Sequence, residues 1–226
     1  EFREKPFSSP RALYKQGGLS LIEKDTEEKS DLLLSLGINL NFAPVCDVSL
    51  NASDYMYDRS FGISAADTAQ YVHTVVSAMN RKGLGCVLKH FPGYGNNADT
   101  HTGIAIDERS LESFRNNDFL PFQAGIKAGA PVVLVSHNMI RAVDGSRPAS
   151  LSPAVHELLR TELAFDGLII TDDLQMDAIR QYTAGEEAAV MAVTAGNDLI
   201  CCTDYETQFN AVLQAVQSGK ISEQRI

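Results

Sequence analysis

Five apolar stretches, each followed by a helix-like pattern, constrain this chain more than any other feature. They are INLNFAPV (38–45), LGCVLKH (84–90), PVVLVSH (131–137), GLIITDD (167–173) and DLICC (198–202). Their apolar residues run on continuously instead of alternating, as in strands buried on both faces of a parallel sheet. Between them, residues 19–36, 65–81, 111–127, 152–163, 185–195 and 205–218 place apolar side chains at three- and four-residue intervals, and Gly37, Gly83 and Gly196 close three of these segments. Ser152 followed by Pro153 is a helix start, with a capping hydroxyl and proline at the first helical position. Strand then helix, repeated about five times without a hairpin signal, predicts an α/β fold with a parallel sheet, either doubly wound or closed as a barrel. No GxGxxG or GxxxxGK follows any strand, so the nucleotide-binding fingerprints of doubly wound folds are missing.

With 226 residues, 44% of them hydrophobic, the chain can bury a sizeable core, and one domain over residues 1–226 is expected. A formal net charge of -10 argues against nucleic acid or an anionic membrane as the main partner, because both would be repelled. No run approaches the ~20 apolar residues of a membrane span. Compartment and oligomeric state are not legible. The four cysteines, Cys46, Cys86, Cys201 and Cys202, have no metal-ligand spacing and read as buried thiols. Neither a metal nor a cofactor is expected.

Functional groups of parallel α/β folds collect at the carboxyl ends of strands, where loops vary over a fixed sheet. Here the first strand ends in Asp47, the second in Lys89 and His90, the third in His137 and Asn138, the fourth in Asp172 and Asp173. Each has a plain structural reading as well. Asp47 and Asp173 suit helix caps or loop acceptors as well as a site, and His137 suits a satisfied histidine beside the core. His73 and His156 fall inside helical patterns and read as structural or solvent-facing. Lys89, closing a buried strand, either snorkels to solvent or faces an anionic or hydroxyl-rich ligand. In the loop GYGNNADTH, Asp99 and His101 stand at i and i+2. In an extended segment the carboxylate can hold one imidazole nitrogen and leave the other for a substrate, as an acid/base needs. By spacing alone that pair is common.

Taken together, KHFPGYGNNADTH, GINLNFAPVCDVS, DRSFG and GLIITDDLQM resemble glycoside hydrolase family 3, in its β-N-acetylhexosaminidase branch, over nearly the whole chain and in the expected order. The resemblance implies a (β/α)8 TIM-type barrel and removal of terminal β-linked N-acetylglucosamine by a retaining, two-step mechanism. Asp172 then corresponds to the nucleophile and His101 to the acid/base, assisted by Asp99. Lys89, His90 and Arg59 correspond to residues that bind the sugar hydroxyls, and Met176 to an apolar residue near the site. The implied partner is an N-acetylglucosamine-containing oligosaccharide or cell-wall fragment. A β-glucosidase, a phosphorylase of the same family and a non-catalytic sugar-binding relative remain alternatives, as does a metal-dependent hydrolase using His90, His101, His137 and Asp172. A neutral imidazole does not repel phosphate as a carboxylate would, which keeps phosphorolysis open.

Two departures stand out. KHFPG more often continues with histidine where this chain has Tyr94. The family's glycine-rich acidic motif should lie upstream of residue 1, so a barrel truncated at both ends, with open sheet edges, is expected. The glycines of residues 93–101 further predict a mobile loop, with His101 poorly positioned or disordered when no ligand is bound.

Overall fold

The computed structural model describes residues 4–226. Six strands are present among them: β1 (Leu40–Asn41), β2 (Gly85–Phe91), β3 (Ile106–Asp107), β4 (Val132–Val135), β5 (Met139–Ile140) and β6 (Leu168–Thr171). The helices are α1 (Pro10–Ser35), α2 (Ala65–Lys82), α3 (Leu111–Ser113), α4 (Phe119–Lys127), α5 (Pro153–Thr161), α6 (Asp177–Tyr182), α7 (Gly185–Ala195) and α8 (Tyr205–Gln217). A π-helical stretch, Phe114–Asp118, joins α3 to α4.

The main sheet is parallel throughout and runs β1-β2-β4-β6, each strand beside the next one in sequence. The order never reverses, whereas a doubly wound sheet has a switch point. Both faces of the sheet are apolar, as continuous runs require. Val87, Val132, Leu134 and Ile170 make one face, with Leu40 and Cys201 packed against them. Cys86, Leu88, Val133, Val135 and Ile169 point the other way, into a core shared with Val72, Val76, Phe119, Phe122 and Leu159 of the covering helices. Burying each such side chain is worth about 1.5–3 kcal/mol, so this face carries much of the stability.

Helix ends follow local chemistry. The hydroxyls of Ser64 and Ser152 cap α2 and α5, accepting from the amides of Asp67 and Val155. Gly83 closes α2 at φ 75°, a conformation that side chains with a Cβ resist. The first helix starts earlier than its apolar period predicts. Ser9 caps it with proline next, and a break at Gly17 and Gly18 separates that extra turn region from the periodic part.

Besides the run 38–45, which pairs with β2 only over Leu40–Asn41 and through a separate Val45–Lys89 bridge, two further differences concern strands. Residues 198–202 lie parallel to β6 but bridge it only at Ile170 and Leu199. The Thr171 hydroxyl takes the amide of Cys201, at 3.0 Å, so a side chain interrupts the expected ladder. Cys201 and Cys202 here are half-buried, unlike the fully buried Cys46 and Cys86. The second difference is the small parallel pair β3-β5, which no apolar run announces. It ties the loop after β2 to the loop after β4, so both long loops are fastened at the same end of the sheet.

Candidate active site

The carboxyl end of β2 is built around a buried carboxylate. Asp47, with no exposed surface, accepts from the His90 amide at 3.2 Å and from His90 Nδ1 at 2.8 Å through Oδ2, and from the Tyr94 amide at 2.8 Å through Oδ1. With Nδ1 donating to Asp47, His90 Nε2 is left as an acceptor, and the Arg59 guanidinium faces it at 3.4 Å. The Lys89–His90, Phe91–Pro92 and Ala43–Pro44 peptides are cis. Lys89 is half-buried, its Nζ 6.0 Å from the Phe42 ring centre. Burial and the Arg59 charge hold its ammonium below the ordinary lysine range, while the carboxylates of Asp172 and Asp47 pull the other way. Arg59, Asp172 and Asp47 are therefore each close enough to act on the Lys89 charge.

At the end of β6 the two aspartates differ sharply in their commitments. Asp173 is fully engaged: Oδ1 accepts from the Gln175 amide at 2.9 Å, Oδ2 from the Thr203 hydroxyl, and its carbonyl oxygen from His137 Nε2 at 3.0 Å. Asp172 accepts only the Asp173 amide, at 3.0 Å on Oδ1, and among the described residues no donor holds its other oxygen. Its amide donates to Val135 O at 3.1 Å, which continues the sheet and fixes its backbone. His137 is the satisfied histidine. Its Nδ1 faces the Ser150 hydroxyl at 2.8 Å, and burial holds its pKa below the ordinary value, the nearby Asp172 charge acting in the opposite sense. His156 is likewise buried, with Nδ1 donating to Ser152 O at 2.8 Å, whereas His73 is exposed on α2.

Above this floor stands the loop. Asp99 Oδ1 accepts from His101 N at 2.9 Å and from His101 Nδ1 at 2.6 Å, so Nε2 faces away from the carboxylate. The Asp99 carboxyl is held below its usual range; burial opposes this, and the His101 amide and ring outweigh it. The imidazole also lies 3.3 Å from the Tyr55 hydroxyl, which accepts from Arg59 at 3.1 Å. A chain of contacts thus runs from His101 through Tyr55 and Arg59 to His90, linking the tip to the floor. The expectation of a loosely placed His101 differs from this arrangement. The ring is half exposed, yet it has two side-chain partners.

The loop is fastened at its root as well. Arg109 donates to both oxygens of Asp107, to Asp118 at 2.8 Å and to Gly93 O at 3.1 Å. Asn97 donates to Asp107 at 2.5 Å. A Cβ at Gly93 would collide with Asp118, and one at Gly95 with Arg109, so glycine here allows close approach as well as a turn. Burial pushes the Asp118 carboxyl up to about 6 in spite of Arg109. Arg59 thus meets His90 and, together with Asp172, acts on the Lys89 charge, while Asp99 is paired with His101. Tyr55 was not singled out from sequence, although its place four residues before Arg59 is the signal that would have found it. Met176 is buried at the start of α6 and touches none of these groups through a hydrogen bond of its side chain.

This can hold a polyhydroxylated ligand: cationic donors and a buried imidazole on the floor, a carboxylate with an uncommitted oxygen at the end of the neighbouring strand, and an exposed histidine with one oriented nitrogen above. The chain resembles known proteins throughout. It is 34% identical over 223 residues to a protein named Beta-hexosaminidase from Stenotrophomonas maltophilia, a match spanning 96% of this chain and 65% of the relative. A Beta-hexosaminidase from Nitrosomonas eutropha is 34% identical over 174 residues, 76% of this chain and 50% of the relative. The chain therefore spans about half to two thirds of these relatives' length. Among solved structures, a family 3 β-N-acetylglucosaminidase from Paenibacillus superposes with a TM-score of 0.90 at 35% identity, over 96% of this chain and 43% of that one. A family 3 glycosyl hydrolase from Mycobacterium smegmatis gives 0.88 at 31% identity, over 97% and 71%. The model of the glycosyl hydrolase family 3 N terminal domain matches residues 2–226, and the chain belongs to that family.

Proposed function

We propose that this chain is the catalytic part of a retaining β-N-acetylhexosaminidase, releasing terminal β-linked N-acetylglucosamine from an oligosaccharide or cell-wall fragment. The observation that carries the reading is the contrast at the end of β6. Asp173 spends both carboxylate oxygens on the protein, while Asp172, whose charge acts on Lys89, keeps one oxygen free. A carboxylate held at a strand end with an uncommitted oxygen suits attack on an anomeric carbon. The names of the relatives support the substrate class.

In this reading an Asp172 oxygen bonds to the anomeric carbon as the glycosidic bond breaks, and the departing oxygen takes a proton from His101 Nε2. Asp99 holds Nδ1 and favours the imidazolium that donates it. Water then gives a proton back to His101 and displaces Asp172, restoring the starting configuration. Lys89, His90 and Arg59 hold the sugar hydroxyls. The consecutive strand order and the one-sided march of helix after strand support an arc of a (β/α)8 barrel formed by residues 1–226 as part of one domain.

The test uses the full-length protein with aryl N-acetyl-β-glucosaminide and aryl β-glucoside. Asp172→Asn should lower turnover of the N-acetylated substrate by about 10⁴-fold or more, since loss of a nucleophile removes the covalent route. Retained activity would overturn the assignment, and a preference for the plain glucoside would overturn the substrate class.

A further inference from the structure

Within residues 96–102 Thr100 alone is fully buried, although Asp99 and His101 on either side reach outward. Two contacts hold it. Its hydroxyl meets the Tyr94 hydroxyl, and its carbonyl accepts from the Ala178 amide at 3.1 Å, on the helix that follows Asp172 and Asp173. Tyr94 is itself rigidly placed. Its amide is bound to Asp47 at 2.8 Å, its ring meets the His90 ring edge-on with centroids 5.5 Å apart, and it packs against Tyr55 at 5.9 Å with 2% of its surface exposed.

We propose that Tyr94 is a positioning residue for the acid/base pair: its hydroxyl joins the sugar-holding floor to Thr100 and so sets where Asp99 and His101 stand. The proposal rests on the reading of His101 as acid/base. Two residues flanking one anchored residue inherit its position, because the backbone between them has few soft dihedrals. Without the Tyr94 hydroxyl, Thr100 keeps the Ala178 contact on its carbonyl but loses its side-chain tether, and the imidazole is free to drift. A displacement of ~1 Å at a catalytic group costs up to about a hundredfold in rate. Burial also keeps the Tyr94 phenol protonated, so a donor is always present.

The experiment compares Tyr94→Phe, Thr100→Val and Thr100→Ser with His101→Ala in the full-length protein, on two aryl N-acetyl-β-glucosaminides. The methylumbelliferyl leaving group needs protonation, and the 2,4-dinitrophenyl group does not. For Tyr94→Phe and Thr100→Val, kcat/KM on the first substrate should fall by roughly tenfold and on the second by less than about twofold, since only the first draws on general acid catalysis. Thr100→Ser, which keeps a hydroxyl, should stay close to the parent, and the variant combining Tyr94→Phe with Thr100→Val should be no worse than either single one. Equal losses on both substrates, or no loss, would overturn the proposal while His101→Ala still shows a selective loss. If His101→Ala shows no selectivity, the acid/base reading falls and the proposal with it. If Tyr94→Phe does not fold, the contrast of Thr100→Val with Thr100→Ser decides.

Discussion

Two aspartate–histidine pairs lie in and around the same thirteen-residue stretch, and they differ in nearly every physical respect. Asp47 and His90 are buried, with side-chain exposures of 0% and 4%, and come from residues 43 apart in sequence. Asp99 and His101 are two residues apart, and the His101 side chain is 54% exposed. In the first pair both imidazole nitrogens are taken, one by Asp47 and one by Arg59; in the second, Nε2 is free. A ring with both nitrogens spoken for can orient a neighbour or a ligand but has little freedom to exchange protons. One with a free, wet nitrogen can. The same two residue types therefore support holding in one place and proton transfer in the other, and burial makes the difference.

The strongest way to break this comparison is to remove each aspartate. Asp47→Ala leaves three buried donors, the amides of His90 and Tyr94 and His90 Nδ1, without an acceptor. It should cost about 3 kcal/mol of stability or more, read as a clear fall in Tm. Asp99→Ala should leave stability within about 0.5 kcal/mol, because its pair is at the surface. Its effect should fall on catalysis, with kcat down by about a hundredfold as the imidazole loses orientation and charge support. Equal losses of Tm in the two variants would erase the distinction.

A smaller effect sharpens the comparison with the third histidine of the site. His137 is buried, and its folded-state pKa lies below the ordinary 6.5. The unfolded chain therefore binds its proton first as pH falls, and stability from this group is complete above about pH 6.5 and lost below it. The loss is at most ~1.4 kcal/mol per pH unit, the value for one proton. Comparing parent and His137→Gln by denaturant unfolding from pH 7.5 to 5 should show their stability gap narrowing toward acid. A gap independent of pH would mean that His137 takes up its proton in the fold as readily as outside it.

Much of the fold was legible because its signals are local. Continuous apolar runs placed the strands β2, β4 and β6, while the apolar period with Gly83 placed α2, and Ser152 with Pro153 placed the start of α5, within a residue or two. The misses have non-local causes. The stretch 198–202 reads as a strand, yet the Thr171 side chain, 30 residues away, takes the amide its ladder needs. The β3-β5 pair is two residues long on each side, too short to leave a period. The glycines of residues 93–101 also have a role that no local signal announces: Gly93 and Gly95 lie against Asp118 and Arg109, where a Cβ would collide.

The sequence by itself determined the order of the main parallel strands and their covering helices, the family, and the kinds of groups at the strand ends, since each is written in neighbouring residues. Only the tertiary structure decided what those groups do to one another. That Asp173 has both carboxylate oxygens engaged depends on Thr203, 30 residues distant, as well as on the neighbouring Gln175 amide. That His101 meets Tyr55 depends on a separation of 46. Hydrogen bonds are short and directional, so which donor reaches which acceptor is settled only when the sheet and its loops bring distant segments within about 3 Å.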